Sequence, residues 1–126
     1  EIIVDDIDTE QVMAVPGDIW KIASHDSTQY GSRLIGNIFA NKRFTFPKSL
    51  YAVKDCLYFF TANKPNALIV DFFAGSGTTG HAVIDLNKED GGNRKYILIS
   101  NSESNICKDV TLKRIKMFDP NVKFIN

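Results

Sequence analysis

The residues best able to do chemistry stand in one run, Asp71-Phe72-Phe73-Ala74-Gly75-Ser76-Gly77-Thr78-Thr79-Gly80. Glycine at 75 and 77 permits positive φ and lets a ligand approach the backbone closely. A helix that starts beyond such a bend offers free amide donors and the positive end of its dipole. A small anionic or polar ligand is expected there, and the plain alternative is a tight strand-to-helix turn with no ligand. The spacing Gly75-x-Gly77-x-x-Gly80 matches the dinucleotide fingerprint in form, but that match is weak alone. Asp71 stands where a dinucleotide fold runs apolar into its first glycine, and 126 residues are too few for two mononucleotide halves and a substrate domain. A Walker phosphate loop is excluded, because no Gly-Lys-Ser/Thr follows the glycines.

The elements that must hold this run follow from periodicity. Ala67 to Val70 is a continuous apolar stretch closed by Asp71, the pattern of a fully buried parallel strand over 67–71. Upstream, Leu50, Val53, Cys56, Leu57 and Phe60 recur at helical spacing, so a helix is expected over 48–61, with Tyr51 and Tyr58 on its other side. Downstream, Thr79, Ala82, Val83 and Leu86 give a second helix, 88–94 a surface turn with Gly91-Gly92, and 96–100 a second strand. A third helix is expected over 105–118, with Ile106, Val110 and Met117 on one side and Leu112 and Ile115 on the other. Asp119-Pro120-Asn121 breaks it, and 122–125 is a candidate last strand. Before residue 48 the signal is poorer. Residues 2–5 form a candidate strand, 15–18 a turn, 19–22 a short strand, 24–31 a polar loop and 32–40 a short helix. From residue 67 the order β-loop-α-β-α is half of a doubly wound α/β fold, whose ligand crevice lies at the carboxyl ends of the strands.

Composition narrows the function classes. Lys+Arg and Asp+Glu are 15 each, so the chain is no polybasic nucleic-acid arm, although a basic face is compatible with a neutral total. With 44% hydrophobic and 24% charged residues it is ordinary globular material. Its apolar runs fall far short of the ~20 residues that span a bilayer, so no membrane segment is expected. Cys56 and Cys107 sit in apolar-periodic stretches and read as reduced, buried thiols of a cytoplasmic protein.

The run 71–79 resembles motif I of S-adenosylmethionine-dependent DNA amino-methyltransferases. It is most similar to the adenine-specific modification subunits of type III restriction-modification systems, in the permuted β group. The similarity continues through Gly80-His81-Ala82-Val83, Leu86-Asn87-Lys88-Glu89-Asp90-Gly91-Gly92-Asn93-Arg94-Lys95 and Tyr96-Ile97-Leu98-Ile99, then Asn105-Ile106-Cys107 and Arg114-Ile115-Lys116. Phe46-Pro47-Lys48-Ser49 before an amphipathic helix resembles motif X, and Ile19-Trp20 the exit from a target-recognition region. The likeness covers about 19 to 118 and is most specific over 71–94.

The resemblance implies a partial Rossmann-like α/β methyltransferase fold, a short, mostly parallel sheet with helices on both faces. It implies a tail and connector over 1–47 and an S-adenosylmethionine-binding subdomain over 48–126. It assigns Asp71 to the cofactor's ammonium or to the loop amides, with Phe72, Phe73 and Ala74 lining the site. Phe73 would be the apolar wall for the adenine. Gly75 and Gly77 would let the methionyl part approach, and Thr78 or Thr79 would cap the helix. Lys48 is the cation for the carboxylate, unless it is a solvated helix-start lysine. Glu103 is the acceptor for the ribose hydroxyls, with Asn101 as fallback, unless it is a helix-capping acid. His81 reads as a helix-face residue rather than a base, and His25 as incidental. No metal ligand or catalytic residue is assigned. The family's Asp-Pro-Pro-Tyr motif, which holds the exocyclic amine of a flipped base, precedes motif X in the permuted order and is not among residues 1–126.

The chain is therefore expected to be the cofactor-binding part of a longer DNA adenine methyltransferase, inactive alone. The parent enzyme's partners would be DNA and a type III restriction subunit. An uncovered sheet edge would favour a homodimer, or residues 2–5 folded into the gap. Two rival readings stand beside this one: a dinucleotide-cofactor oxidoreductase fragment, and a non-enzymatic module binding DNA or a partner through Lys113, Arg114, Lys116 and Lys123.

Overall fold

A computed structural model describes residues 19–39, 44–101 and 105–125. The expected strands at 2–5 and 19–22 differ in outcome: the first, like the 15–18 turn, lies outside the described residues, and the second does not form. A 3-10 turn over Ala23–His25 and a π-type turn over Thr28–Arg33 lead into α1, Leu34–Ile38. The polar stretch expected to be a loop is thus helical. Gly31 explains why it can pack, since a Cβ there would collide with the Pro47 carbonyl oxygen. Only a bare Cα lets this turn lie on the segment that opens the next helix.

That helix, α2, spans Leu50–Thr61. Ser49 caps it, accepting from the Ala52 amide at 3.4 Å and donating to the Ser24 carbonyl at 2.8 Å. His25 is not incidental: its Nε2 lies 2.7 Å from Asp55 Oδ2 and pins the first turn to α2. Strand β1 is Leu68–Asp71, α3 is Thr78–Asp90 and β2 is Lys95–Leu98. The two strands pair in parallel, Leu68 opposite Lys95 and Asp71 opposite Leu98, with α3 as the crossover. A π-type turn over Cys107–Thr111 runs into α4, Leu112–Phe118, and Asp119-Pro120-Asn121 ends it as expected. Residues 122–125 form no strand.

The core lies between α3 and one face of the sheet. A Cβ at Gly80 would meet Leu98 Cδ1 at 2.9 Å and Ile115 Cδ1 at 2.8 Å, so α3, β2 and α4 converge there. Ala82, Val83, Leu86, Val110 and Ile115 fill it. On the opposite face Leu68 is 57% and Val70 41% exposed, beside the exposed Ile97. β1 is parallel as expected but not fully buried, because no helix among the described residues covers that face. The partial α/β architecture stands, with its helical layer seen on one face. Three further corrections follow from burial. Phe60 and Cys56 are exposed and Cys107 is half-buried, so α2 does not bury the stripe its spacing suggested, and neither thiol is buried as expected. Met117 is 59% exposed, and α4 turns Arg114 inward instead. Arg94 is not on a surface turn: it donates to the Thr61 carbonyl at 2.9 Å and pairs with Asp90 at 2.8 Å, while Asn87 brackets its backbone. No helix among the described residues is long and apolar enough to cross a membrane.

Candidate cofactor site

The loop from β1 to α3 sits at the carboxyl end of the sheet, the rim where open α/β sheets bind ligands. Asp71 organises it. One carboxylate oxygen accepts from the Phe73 amide at 2.9 Å and the other from the Thr79 hydroxyl at 2.6 Å. Of the two roles given to Asp71, holding the loop is therefore the one its described hydrogen bonds perform. The Ile99 amide donates to the Asp71 carbonyl at 2.8 Å, and the Ala74 amide to the Ile99 carbonyl at 3.0 Å. These bonds tie the loop to the end of β2.

Gly75 and Gly77 both adopt positive φ, 50° and 78°. Gly77 is the residue preceding α3, and no side chain caps the helix. The capping role expected of Thr78 or Thr79 is corrected: Thr79 serves Asp71, and the Thr78 hydroxyl lies 3.1 Å from Ser76 Oγ. Ala74 is buried, whereas Phe72 is exposed and Phe73 is 92% exposed. Phe73 thus presents an uncovered apolar ring on the loop that precedes α3.

Lys48 is exposed on the segment just ahead of α2. The structure brings that segment to the loop, since a Cβ at Gly75 would lie 3.2 Å from Phe44 Cζ. Phe46 on the same segment is exposed and holds φ at 59°, a conformation costly for a bulky residue. Glu103 lies outside the described residues, and Asn101, the fallback, is exposed at the end of β2. A concavity of about 710 Å³ lies elsewhere, along the outer edge of β2 between Cys107, Ile115 and Phe124. It is an open strand edge beside the C-terminal segment, and none of the loop residues 71–79 lines it.

Sequence reasoning missed what lies beneath the loop. Arg114 is 1% exposed, so it forms no part of a basic DNA-binding face. It donates to the Ser76 carbonyl at 3.2 Å and to Thr78 Oγ1 at 3.0 Å. Burial and the neighbouring Arg114 and Lys88 charges hold the His81 imidazole down at about 4, so it is neutral near pH 7. Its ring stacks on Phe118 with centroids 3.9 Å apart. His81 is thus an interior residue and not an open helix face. A charge-blind apolar pattern could not place either side chain inside.

Comparison with known proteins shows the family. Residues 4–111 match the DNA methylase family N6_N4_Mtase, and the chain belongs to it. Among its relatives is the type II methyltransferase M.KpnI of Klebsiella pneumoniae, 46% identical over 81 residues, covering 62% of this chain and 19% of the relative. The StyLTI Mod subunit of a type III restriction-modification enzyme, from Salmonella typhimurium, is 42% identical over 72 residues, 57% of this chain and 11% of the relative. The EcoPI Mod subunit of Escherichia phage P1 is 38% identical over 88 residues, 70% and 13%. The chain thus spans less than a fifth of the length of each of these relatives.

Proposed function

We propose that the chain is the S-adenosylmethionine-binding part of a site-specific DNA adenine methyltransferase of the type III modification kind. The observation that carries this is the Asp71-organised loop at the carboxyl rim of a parallel sheet, with an exposed Phe73 and the Lys48 segment beside it. The donor set fits the group. An apolar ring suits an adenine, a helix start and an ammonium suit a carboxylate, and Asp71 keeps the loop open by its own hydrogen bonds. Bound there, S-adenosylmethionine would supply an electrophilic methyl group for the adenine exocyclic amine. In this reading Lys48 and Phe73 orient it, Gly75 and Gly77 allow its close approach, and Glu103 accepts from the ribose. The protein's share of such catalysis is mainly orientation.

The same proposal takes residues 1–47 as connector and 48–126 as the cofactor subdomain of a cytoplasmic enzyme. That enzyme acts on DNA and pairs with a restriction subunit. Residues 1–126 carry no Asp-Pro-Pro-Tyr, so the chain alone is expected to transfer no methyl group. Tritium transfer from labelled S-adenosylmethionine to DNA by the bare chain would overturn that point.

Calorimetric titration with S-adenosylhomocysteine tests the reading as a whole. Saturable one-site binding, abolished in Asp71→Ala, is expected. Binding of NAD in its place would favour an oxidoreductase origin. A salt-dependent DNA shift with no cofactor binding would favour a nucleic-acid module.

A further inference from the structure

The buried guanidinium under the loop is not explained by packing alone. Arg114 is almost fully enclosed, yet among the described residues it has no carboxylate within ion-pair distance. Among the described residues its donors go to two places. Nη1 reaches the Ser76 carbonyl (3.2 Å), Ser76 Oγ (3.2 Å) and Thr78 Oγ1 (3.0 Å). Nε and Nη2 both reach His81 Nδ1, at 3.3 and 3.2 Å. Two donors on Nδ1 require its lone pair, so the ring proton sits on Nε2, which faces Asp85 Oδ2 at 3.5 Å. An arginine kept for stability alone could be replaced by apolar side chains of similar volume. This one anchors two nitrogens on His81 and points the third, Nη1, at the middle of the glycine loop.

A second contact acts from the same side. The Thr111 hydroxyl donates to the Gly75 carbonyl at 2.7 Å. Two successive carbonyls, of Gly75 and Ser76, are therefore held toward α4 and the turn before it. A trans peptide keeps its C=O and N–H on opposite sides, so the Ser76 amide is turned away from α4. The Gly77 amide closes the bend on the Ala74 carbonyl at 2.7 Å. The loop's shape is thus set from beneath by α4, while Asp71 sets it from the strand.

We propose that Arg114 is a positioning residue for the cofactor loop, fixing the Ser76–Thr78 turn and through it the loop's affinity for the adenosyl-sulfur ligand. This rests on the cofactor reading above, and the test separates the two. Arg94 provides the control, because it is an equally buried arginine whose partners, Thr61 and Asp90, lie away from the loop.

The experiment compares the wild-type chain with Arg114→Met, Arg114→Lys, Thr78→Val and Arg94→Met. Thermal midpoints and S-adenosylhomocysteine isotherms are measured well below the lowest midpoint. A displaced loop is expected to weaken binding in Arg114→Met by at least about tenfold. Arg114→Lys, with one ammonium in place of the fork, should fall between it and the wild type. Arg94→Met should lose thermal stability yet bind within about twofold of the wild type, being remote from the loop.

Wild-type affinity in Arg114→Met, or equal loss in Arg94→Met, overturns the proposal. Where Arg114→Met does not fold, Arg114→Lys and Thr78→Val decide the matter, and unchanged affinity in both overturns it. Where the wild type itself binds no S-adenosylhomocysteine, the cofactor reading fails. The loop-fixing role is then read from hydrogen exchange at residues 75–80. Faster exchange in Arg114→Lys than in Arg94→Met supports it, and equal exchange overturns it.

Discussion

Lowering the pH should destabilise this chain in part through His81. Its imidazole is buried against Phe118, faced by the Arg114 guanidinium, the Lys88 ammonium and the Asp85 carboxylate. Asp85 Oδ2, at 3.5 Å, is too far for a good hydrogen bond, so burial and the two cations prevail and the folded-state value falls to about 4 from 6.5. The unfolded chain therefore binds the proton first as the pH drops. Stability conferred by the neutral ring is complete above the unfolded value and is lost from pH 6.5 down toward 4. At pH 4.5 the linkage amounts to about 2.5 kcal/mol, with a limit of about 3 kcal/mol below both values. Burial raises the value of the Asp85 carboxyl, so its protonation on acidification acts in the opposite sense to that of His81. Urea unfolding followed by Trp20 fluorescence at pH 7.5 and 4.5 measures the effect. His81→Gln is the partner variant, because an amide oxygen can accept from Arg114 without titrating. The wild type should lose about 2 kcal/mol more than His81→Gln between the two pH values. Equal losses in both would refute the assignment of a neutral, Arg114-bonded His81.

Other outcomes follow from packing. Gly80→Ala should cost about 1–3 kcal/mol, since its methyl would press on Ile115 and Leu98 from under 3 Å. Gly36→Ala in α1, where nothing lies within 4 Å, should raise stability by up to about 1 kcal/mol; thermal melts read both, and the reverse order would contradict the helix packing. Gly77→Ala should cost about 1–3 kcal/mol for the left-handed φ of 78°, beyond the crowding against Thr111. The uncovered face of Leu68, Val70 and Ile97 should drive self-association. Light scattering across a dilution series is expected to show dimers, abolished by Val70→Lys, and a monomer at every concentration would sink the idea.

The β1-loop-α3-β2 unit could be read from sequence because each part carries a local signal: a continuous apolar run, two spaced glycines and an apolar helical stripe. The family likeness over 71–94 also has a physical basis in the structure. Asn87 brackets Arg94, which turns back to cap the end of α2. Where expectation failed, a polar group had found an interior partner. Arg94, Arg114 and Thr111 are buried because specific acceptors await them, and His81 because it accepts from Arg114; apolar periodicity carries no record of such partners. The stretch 24–31 looked like a loop because its packing depends on the absence of a side chain at Gly31. The stripe expected on α2 and the burial expected for β1 both assumed a covering layer that the described residues do not supply.

Whether the Asp71-tipped bend holds an adenosyl-sulfur ligand can be seen in a crystal structure with S-adenosylhomocysteine. Density is expected at the carboxyl rim over residues 73–79, with the adenine against Phe73 and the carboxylate toward Lys48. Density confined to the groove along β2, or none at saturating ligand, would contradict it.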